Sequence, residues 1–196
     1  MQFFTADLHL GDDDIIEREA RPFKNIKEFE EAFIKNVNDV ATEKDTLYVL
    51  GDYISYCNSH RPPIKEVFET AKRIKPSVIL IVGNDEERVI NEVYEGDIEK
   101  FRKDLEQFGI KEVYREADIE LGGMSIHLVH KPTNHKDGII NLFGHNHRAT
   151  GLYKPFGINV GIDLNYFRPF SEKEIIRLLE MKRDWWDKDA DVNCDQ

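Results

Sequence analysis

The chain has 196 residues, of which 40% are hydrophobic, and it carries a formal net charge of −11 at pH 7. This length suits one domain, and the apolar content is enough for a sizeable core. No apolar run approaches the roughly 18 residues that a membrane span needs, so we expect no association with a membrane. An acidic surface repels a long phosphate backbone and no Lys/Arg cluster offsets it, which disfavours polymeric nucleic acid as a partner and favours a small phosphorylated molecule.

The N-terminus and the cysteines favour a cytoplasmic protein. The first residues lack the basic start and the small-residue cleavage site of a secretion signal, and a strand is predicted to begin at Gln2. Cys57 and Cys194 are the only cysteines. Two cysteines so far apart are typical of neither a disulfide framework nor a thiolate metal site, so we expect a reduced, cytoplasmic environment.

Apolar runs and residues at helical spacing alternate along the first half of the chain. Ile26, Phe29 and Phe33 recur as on an amphipathic helix, and residues 77–82 form an apolar run short enough for a buried strand. The predicted elements are, in chain order, a strand at 2–6, an irregular stretch through Pro22, a helix at 26–40, a strand at 46–50, a helix marked by 64–71, a strand at 77–82 and one or two helices within 85–108.

The second half is richer in strands. Gly122 and Gly123 lie between two strand candidates, which is a strong signal of a hairpin. Ser171, with Glu174 three residues on, forms a capping box that opens a helix. The predicted elements are strands at 117–121, 124–130, 139–143 and 157–161, then a helix from 171 to about 182.

Parallel βαβ units followed by hairpin-connected strands and a closing helix predict an α/β protein with two mixed sheets packed face to face and helices outside. The sequence shows no repeat, linker or domain boundary, and we predict one domain over 1–183. The tail, 184–196, is polar and acidic apart from Trp185 and Trp186, which we expect to pack on the body of the protein.

Five motifs place polar side chains at or just past the ends of predicted strands, where the active sites of α/β proteins usually lie. Taken singly, most have an ordinary interpretation: Asp-x-His, Gly-Asp and Gly-Asn are common in turns, and a histidine at a strand end is often a hydrogen-bonded rim residue. Their order and setting decide the interpretation. The motifs are Asp7-Leu8-His9, Gly51-Asp52, Gly83-Asn84, His130 and Gly144-His145-Asn146-His147.

Asp, His and Asn side chains from separated segments suit a centre of two divalent cations. The cations repel each other and need a shared anionic ligand, for which Asp52 is the candidate. Neutral imidazoles and an amide complete the shells without making the site too anionic for phosphate, and manganese, zinc, iron and nickel all suit these ligands. A water shared by the metals loses a proton near neutral pH and attacks phosphorus, while the metals neutralise the non-bridging oxygens.

With these motifs in this order over roughly residues 2–180, the chain resembles the calcineurin-like metallophosphoesterases, a superfamily of binuclear phosphomono- and phosphodiesterases. It looks most similar to small single-domain bacterial and phage members, which share an Arg-Pro-Phe, here 21–23, and an Asn-Val-Gly-x-Asp, here 159–163. The resemblance implies a four-layer α/β/β/α sandwich with two central mixed sheets. It implies Asp7, His9, Asp52 and His147 as ligands of the first metal, and Asp52 (bridging), Asn84, His130 and His145 as ligands of the second.

The chain departs from the family at the third motif. The family usually has Gly-Asn-His-Asp/Glu, whose histidine contacts phosphate or acts as a general acid, whereas this chain has Gly83-Asn84-Asp85-Glu86. An aspartic acid with an ordinary pKa of about 3.9 is ionised at pH 7 and cannot donate a proton, so catalysis would rely on good leaving groups, water or another donor. Asp85, with Asn84 and His130, is our catalytic candidate. The alternative for Asp85 is a carboxylate at a helix start.

Two further side chains are candidates for substrate contact. Arg21 could pair with the substrate phosphate, but an arginine before Pro-Phe could equally anchor a loop through a salt bridge. His135, in the loop 131–137, could replace the missing proton donor, and the ordinary alternative is a surface histidine.

These observations favour a binuclear metal-dependent phosphoesterase that hydrolyses phosphodiesters or nucleotide-like small molecules. Two alternatives stay open. One is a catalytically weak protein-interaction scaffold of the same fold, to which Asp85 points. The other is a nuclease or repair phosphatase, which the acidic charge disfavours. The sequence predicts neither the substrate nor the oligomeric state.

Overall fold

The computed structural model of the chain describes residues 1–57 and 60–189, with residues 182–189 given by backbone alone. Its α-helices are α1 (Asp14–Arg18), α2 (Ile26–Val40), α3 (Ile64–Phe68), α4 (Asn84–Val93), α5 (Ile98–Leu105) and α6 (Glu172–Asp189). Its strands are β1 (Gln2–Thr5), β2 (Thr46–Leu50), β3 (Ser77–Ile81), β4 (Ile110–Tyr114), β5 (Ala117–Leu121), β6 (Met124–Leu128), β7 (Ile140–Phe143), β8 (Tyr153–Lys154), β9 (Gly157–Asn159) and β10 (Phe170–Ser171). The described strands form two five-stranded sheets.

The first sheet has the order β10-β1-β2-β3-β4, with β1 to β4 parallel and β10 antiparallel to β1. Helix α2 starts at a side-chain cap from Asn25 and buries Phe29, Phe33 and Val37 in the same apolar cluster as strand residues of this sheet. Because parallel strands end at one edge, the loops after β1, β2 and β3 meet there.

The second sheet has the order β5-β6-β7-β9-β8. The predicted hairpin is confirmed: Gly122 and Gly123 join β5 to β6 with φ angles of +57° and +77°, a left-handed turn conformation that glycine adopts easily. Strands β6, β7 and β9 run parallel. The segments after β6 and β7, which carry the candidate histidines, therefore leave the sheet at the same edge.

Two apolar clusters hold the layers together. The first joins helices to the first sheet, and the second lies between the sheets, with Phe4 and Leu50 from the first sheet and Ile126 and Leu142 from the second. Segment 131–139 is hydrogen-bonded to β7 through the side chain of Asn141. The predicted α/β fold with two central mixed sheets is confirmed.

Some element bounds differ from those that the sequence predicts. The sequence predicts none of α1, β4, β8 and β10, and it extends β6 and β9 two residues too far. Helix α6 continues through Asp189, past the predicted start of the tail at 184, because residues 182–189 contain no proline or glycine to end it. Residues 190–196 and the side chains of Trp185 and Trp186 lie outside the described residues. No helix in the described ranges is long and apolar enough to cross a membrane.

Candidate metal centre

The backbone is strained at most of the candidate ligands. The φ angle is +61° at Asp7, +50° at His9, +52° at Asp52, +73° at His145 and +45° at His147. Residues other than glycine rarely adopt such angles, and each one costs on the order of 1–3 kcal/mol. Strain of this kind persists only where the surrounding structure enforces it, and it concentrates at functional sites.

Two glycines let the loops approach each other closely. Gly51 has a φ of +83°, and a Cβ added there would overlap the ring of His130. A Cβ added at Gly83 would overlap the carboxylate of Asp52. The glycines of the Gly-Asp and Gly-Asn motifs are therefore needed for the ligands to converge, because only glycine leaves enough space.

Asp7, His9 and His147 supply the first group of donor atoms. One ligand atom from each lies within 4.8 Å of the other two, and the rings of His9 and His147 stack with their centroids 5.1 Å apart. Oδ2 of Asp7 and both ring nitrogens of His9 are buried without a hydrogen-bond partner. Buried polar atoms without partners are costly, and carboxylate and imidazole are ligands that transition metals bind, so this group fits a divalent cation.

Asp52, His130 and His145 supply a second group, again within 4.8 Å of one another. Nε2 of His130 lies 3.1 Å from Oδ1 of Asn84, 3.3 Å from Oδ2 of Asp52 and 3.2 Å from Nδ1 of His145. On the other side of the ring, Nδ1 lies 2.8 Å from the backbone oxygen of Leu50. This contact keeps the proton of a neutral ring on Nδ1 and leaves Nε2 as an electron-pair donor. Donors that converge in this way also fit a cation.

Asp52 lies between the two groups. Its Oδ2 is 3.6 Å from Nε2 of His9 and 3.3 Å from Nε2 of His130. Burial acts to raise the pKa of the Asp52 carboxyl, but the two histidines outweigh it and hold this pKa below its ordinary value. Burial likewise acts to lower the pKa of His130, but Asp52 outweighs it and raises this pKa to about 9. A proton thus offsets the charge of Asp52 in the metal-free protein, and a bound cation would displace it.

Glu86 fixes the loop that carries Asp52, a role that the sequence analysis missed. Its fully buried carboxylate accepts four backbone hydrogen bonds of 2.8 to 3.2 Å, from the N–H groups of Gly83, Asp52, Tyr53 and Ile54. Burial and then the charge of Asp52 raise the pKa of Glu86 to about 8, although the backbone donors act to lower it. The sequence does contain a signal for this role: Glu86 lies three positions after Gly83, the residue that precedes α4, which is the position of the acidic residue in a capping box.

Asp85 faces the candidate centre from the first turn of α4. The residue is buried, its Oδ2 lies 3.4 Å from Nδ1 of His9, and its Oδ1 lies 3.6 Å from Nη1 of Arg88. Its backbone N–H donates to Oδ1 of Asp52 at 3.0 Å. The position therefore combines both interpretations of Asp85: it is a helix-start carboxylate, and it lies beside the candidate ligands.

The structure does not bring Arg21 or His135 to the open side of the centre. The guanidinium of Arg21 is buried and donates to the carboxylate of Asp163 and to two backbone carbonyls, in agreement with the loop-anchor alternative. His135 stacks on Phe156 with centroids 4.0 Å apart and contacts Asp137. It lines a separate cavity beside α6.

The candidate centre opens into a cleft of about 300 Å³, whose lining includes candidate ligands together with Arg18 and Arg88. A second cleft of about 260 Å³ has Arg115 and Lys131 in its lining. Asn84 lines both clefts. Cationic side chains thus flank the centre on two sides, although the chain as a whole carries a formal charge of −11.

Comparison with known proteins identifies relatives of similar length. No protein-family model matches the chain. An uncharacterized protein of Methanocaldococcus jannaschii, MJ1445, is 29% identical over 188 residues, which span 91% of this chain and 90% of that protein. The crystal structure of AQ665 from Aquifex aeolicus, a protein of unknown function, matches with 26% identity and a TM-score of 0.64, over 91% of this chain and 98% of that one. A novel archaeal phosphodiesterase matches with 14% identity and a TM-score of 0.48 over 82% of this chain and 81% of that one, too distant a likeness to bear on function.

Proposed function

We propose that the chain is a binuclear metal-dependent phosphoesterase of the calcineurin-like type, acting on phosphodiesters or nucleotide-like small molecules. One observation carries the proposal: two groups of Asp and His donors, drawn from four separated segments, meet around a shared carboxylate. The unpartnered buried donor atoms of Asp7 and His9 support it. So does the strained backbone at the ligands, since a fold without a function for these residues would gain nothing from that strain.

We assign the candidate ligands to two cations. Asp7, His9 and His147 would hold the first with Asp52, and Asn84, His130 and His145 would hold the second with Asp52. Divalent cations at these positions would supply Lewis acidity, which activates water and offsets charge on the phosphoryl oxygens. Asp52 would keep the cations together, because its Oδ2 lies between the two groups.

Proton donation to the leaving group is the step that this chain is least equipped to perform. The histidines that line the 300 Å³ cleft are all candidate metal ligands: His9, His145 and His147. Asp85 occupies the position at which calcineurin-like metallophosphoesterases usually have a histidine that contacts phosphate or acts as a general acid. We therefore propose that good substrates have leaving groups that depart without protonation, or that accept a proton from water.

The first prediction concerns protonation of the leaving group. The manganese-loaded protein is expected to cleave bis-p-nitrophenyl phosphate, and the rate should fall steeply as the pKa of the leaving phenol rises, because no imidazole is free to protonate it. Chelation with EDTA and the substitution His145→Ala should each abolish turnover, and manganese should restore activity only to the chelated wild type.

A metal-loaded protein that is inert on nitrophenyl esters, cyclic nucleotides and dinucleotides would contradict the proposed function. Preferential cleavage of single-stranded DNA, weakening with added salt, would instead favour the nuclease alternative. A cleavage rate that does not change with the pKa of the leaving phenol would show that the protein does supply a proton donor.

Arg88 is our candidate for contact with the substrate phosphate. Its side chain is about half exposed at the cleft, and its described polar contacts are long: 3.4 Å to the backbone oxygen of Tyr56 and 3.6 Å to Asp85. A guanidinium held this loosely is available to an incoming anion. Arg88→Ala is expected to raise KM roughly fivefold to tenfold, corresponding to about 1–1.4 kcal/mol, with a smaller change in kcat.

Arg102→Ala is the matched control for this substitution. Arg102 is also a surface arginine, but it lies on α5 and pairs with Glu99 and Glu112. Its loss should leave KM unchanged. Equal effects of the two substitutions would show that Arg88 acts only through the overall charge of the protein.

A further inference from the structure

We propose that Asp163 and Arg21 position His147 for metal binding, and that they do so as a buried pair that never contacts substrate. This inference rests on the proposed function, because it concerns one of the candidate ligands. It gives a physical role to the two sequence elements that the candidate centre leaves unexplained, Arg-Pro-Phe at 21–23 and Asn-Val-Gly-x-Asp at 159–163.

The contact between Asp163 and His147 is direct. Oδ2 of Asp163 lies 2.9 Å from Nδ1 of His147, and the Asp163 side chain is 1% exposed. A carboxylate can only accept, so Nδ1 of a neutral His147 carries the proton and Nε2 carries the lone pair. Nε2 is thus the nitrogen available to a cation shared with Asp7 and His9. Carboxylates that hold metal-binding histidines in this way fix both the tautomer and the orientation of the ring.

Arg21 holds Asp163 in turn. Its Nε and Nη2 donate to the two carboxylate oxygens of Asp163 at 2.8 and 3.1 Å. The same guanidinium donates to the backbone oxygens of Asp7 and Leu8 at 2.7 and 2.8 Å, and it lies over the ring of Phe29 at 4.5 Å from the centroid. One side chain therefore connects the strained Asp7-Leu8-His9 loop to the carboxylate that orients His147.

The other end of the 159–163 element holds the backbone of the same ligand. Asn159 is buried, and its Nδ2 donates to the backbone oxygen of His147 at 2.9 Å. Its Oδ1 accepts from the N–H of Gly161 at 2.9 Å, which stiffens the turn between Asn159 and Asp163. Backbone and ring of His147 are thus fixed by two residues four positions apart.

The first test needs no metal. Long-range ¹H–¹⁵N correlation spectra of the metal-free wild type, recorded at alkaline pH so that His147 is neutral, should show the proton on Nδ1. The same spectrum of Asp163→Asn should show the Nε2-protonated form or a mixture of tautomers. A wild-type His147 protonated mainly on Nε2 would overturn the proposal, whatever the protein catalyses.

The second test measures metal affinity. Asp163→Asn keeps the shape of the side chain and is expected to weaken the binding of one of two manganese ions about 10-fold to 100-fold while leaving the other nearly unchanged. Asp118→Asn is the matched control, because Asp118 makes the same kind of contact with His127, at 2.6 Å and outside the candidate centre. It should change neither affinity.

The outcomes separate this inference from the proposed function. A wild type that binds no manganese refutes the proposed function and with it the metal-binding purpose of the pair, whereas the tautomer spectrum decides separately whether Asp163 fixes the ring of His147. A wild type that binds two ions, with Asp163→Asn unchanged from it, overturns the positioning role alone. Circular dichroism of both variants establishes that any loss of affinity occurs in folded protein.

Discussion

Asp52→Asn is expected to lower kcat on a phosphodiester by on the order of a thousandfold or more. The substitution retains the size of the side chain but removes the negative charge that lies 3.6 Å from His9 and 3.3 Å from His130. Two cations without a shared anion repel each other, and the loss of one cation removes several kcal/mol of transition-state stabilisation. Elemental analysis of the folded variant should accordingly find one manganese ion or none.

The control for Asp52→Asn is Asp39→Asn, which removes a negative charge from the exposed face of α2, where Asp39 pairs with Lys35. It should leave kcat and metal content unchanged. An Asp52→Asn protein that keeps two manganese ions and a third of the wild-type kcat would show that Asp52 does not link the two sites.

At pH 9, above the raised pKa of about 8 at which the Glu86 carboxyl ionises, Glu86→Gln is expected to destabilise the protein by about 3 kcal/mol or more, although glutamine has the same shape. One oxygen of Glu86 accepts from Asp52 and Gly83, and the other accepts from Tyr53 and Ile54. A glutamine amide can serve only one of these pairs, so its NH₂ group would face two buried N–H donors. Each buried donor left without a partner costs about 1–3 kcal/mol, against a total stability of about 5–15 kcal/mol.

Urea unfolding in the presence of EDTA measures this effect on the fold without any contribution from metal binding. Glu87→Gln on the same helix is the control: Glu87 pairs with Arg115 at the surface, and such pairs contribute about 0–1 kcal/mol. If Glu86 were protonated in the native protein, glutamine would imitate it and both variants would unfold at nearly the wild-type midpoint. That result would contradict the role given to the Glu86 carboxylate.

Elements with strong local signals were predictable from the sequence. Helix α2 and strand β2 have the predicted bounds, because helical spacing of apolar residues and a short apolar run between charged residues each allow one interpretation. Strand β4 was missed, since two successive charged residues, Lys111 and Glu112, interrupt the apolar–polar alternation of Ile110–Tyr114, and the strand lies at an edge of the sheet after a long charged helical segment. Parallel pairing with β3 stabilises this strand, although its local sequence does not predict it.

The candidate ligands were predictable for a similar reason, because each one follows an apolar run that ends at a common sheet edge. The residues that position these ligands were not predictable. Glu86 and Asp163 act through contacts with residues 34 and 16 positions away in the chain, Asp52 and His147. Arg21 reaches Asp163 across 142 positions. No local pattern encodes such contacts, and the direction in which the Arg21 side chain points is decided only by the packing of both loops.

Metal titration of the wild-type protein tests the central claim most directly. Protein stripped with EDTA, dialysed and titrated with manganese in a calorimeter should bind two equivalents per chain, with release of protons as cations displace the proton that His130 carries. A correctly folded chain that binds no manganese, zinc, iron or nickel would mean that these converging side chains do not form a metal centre.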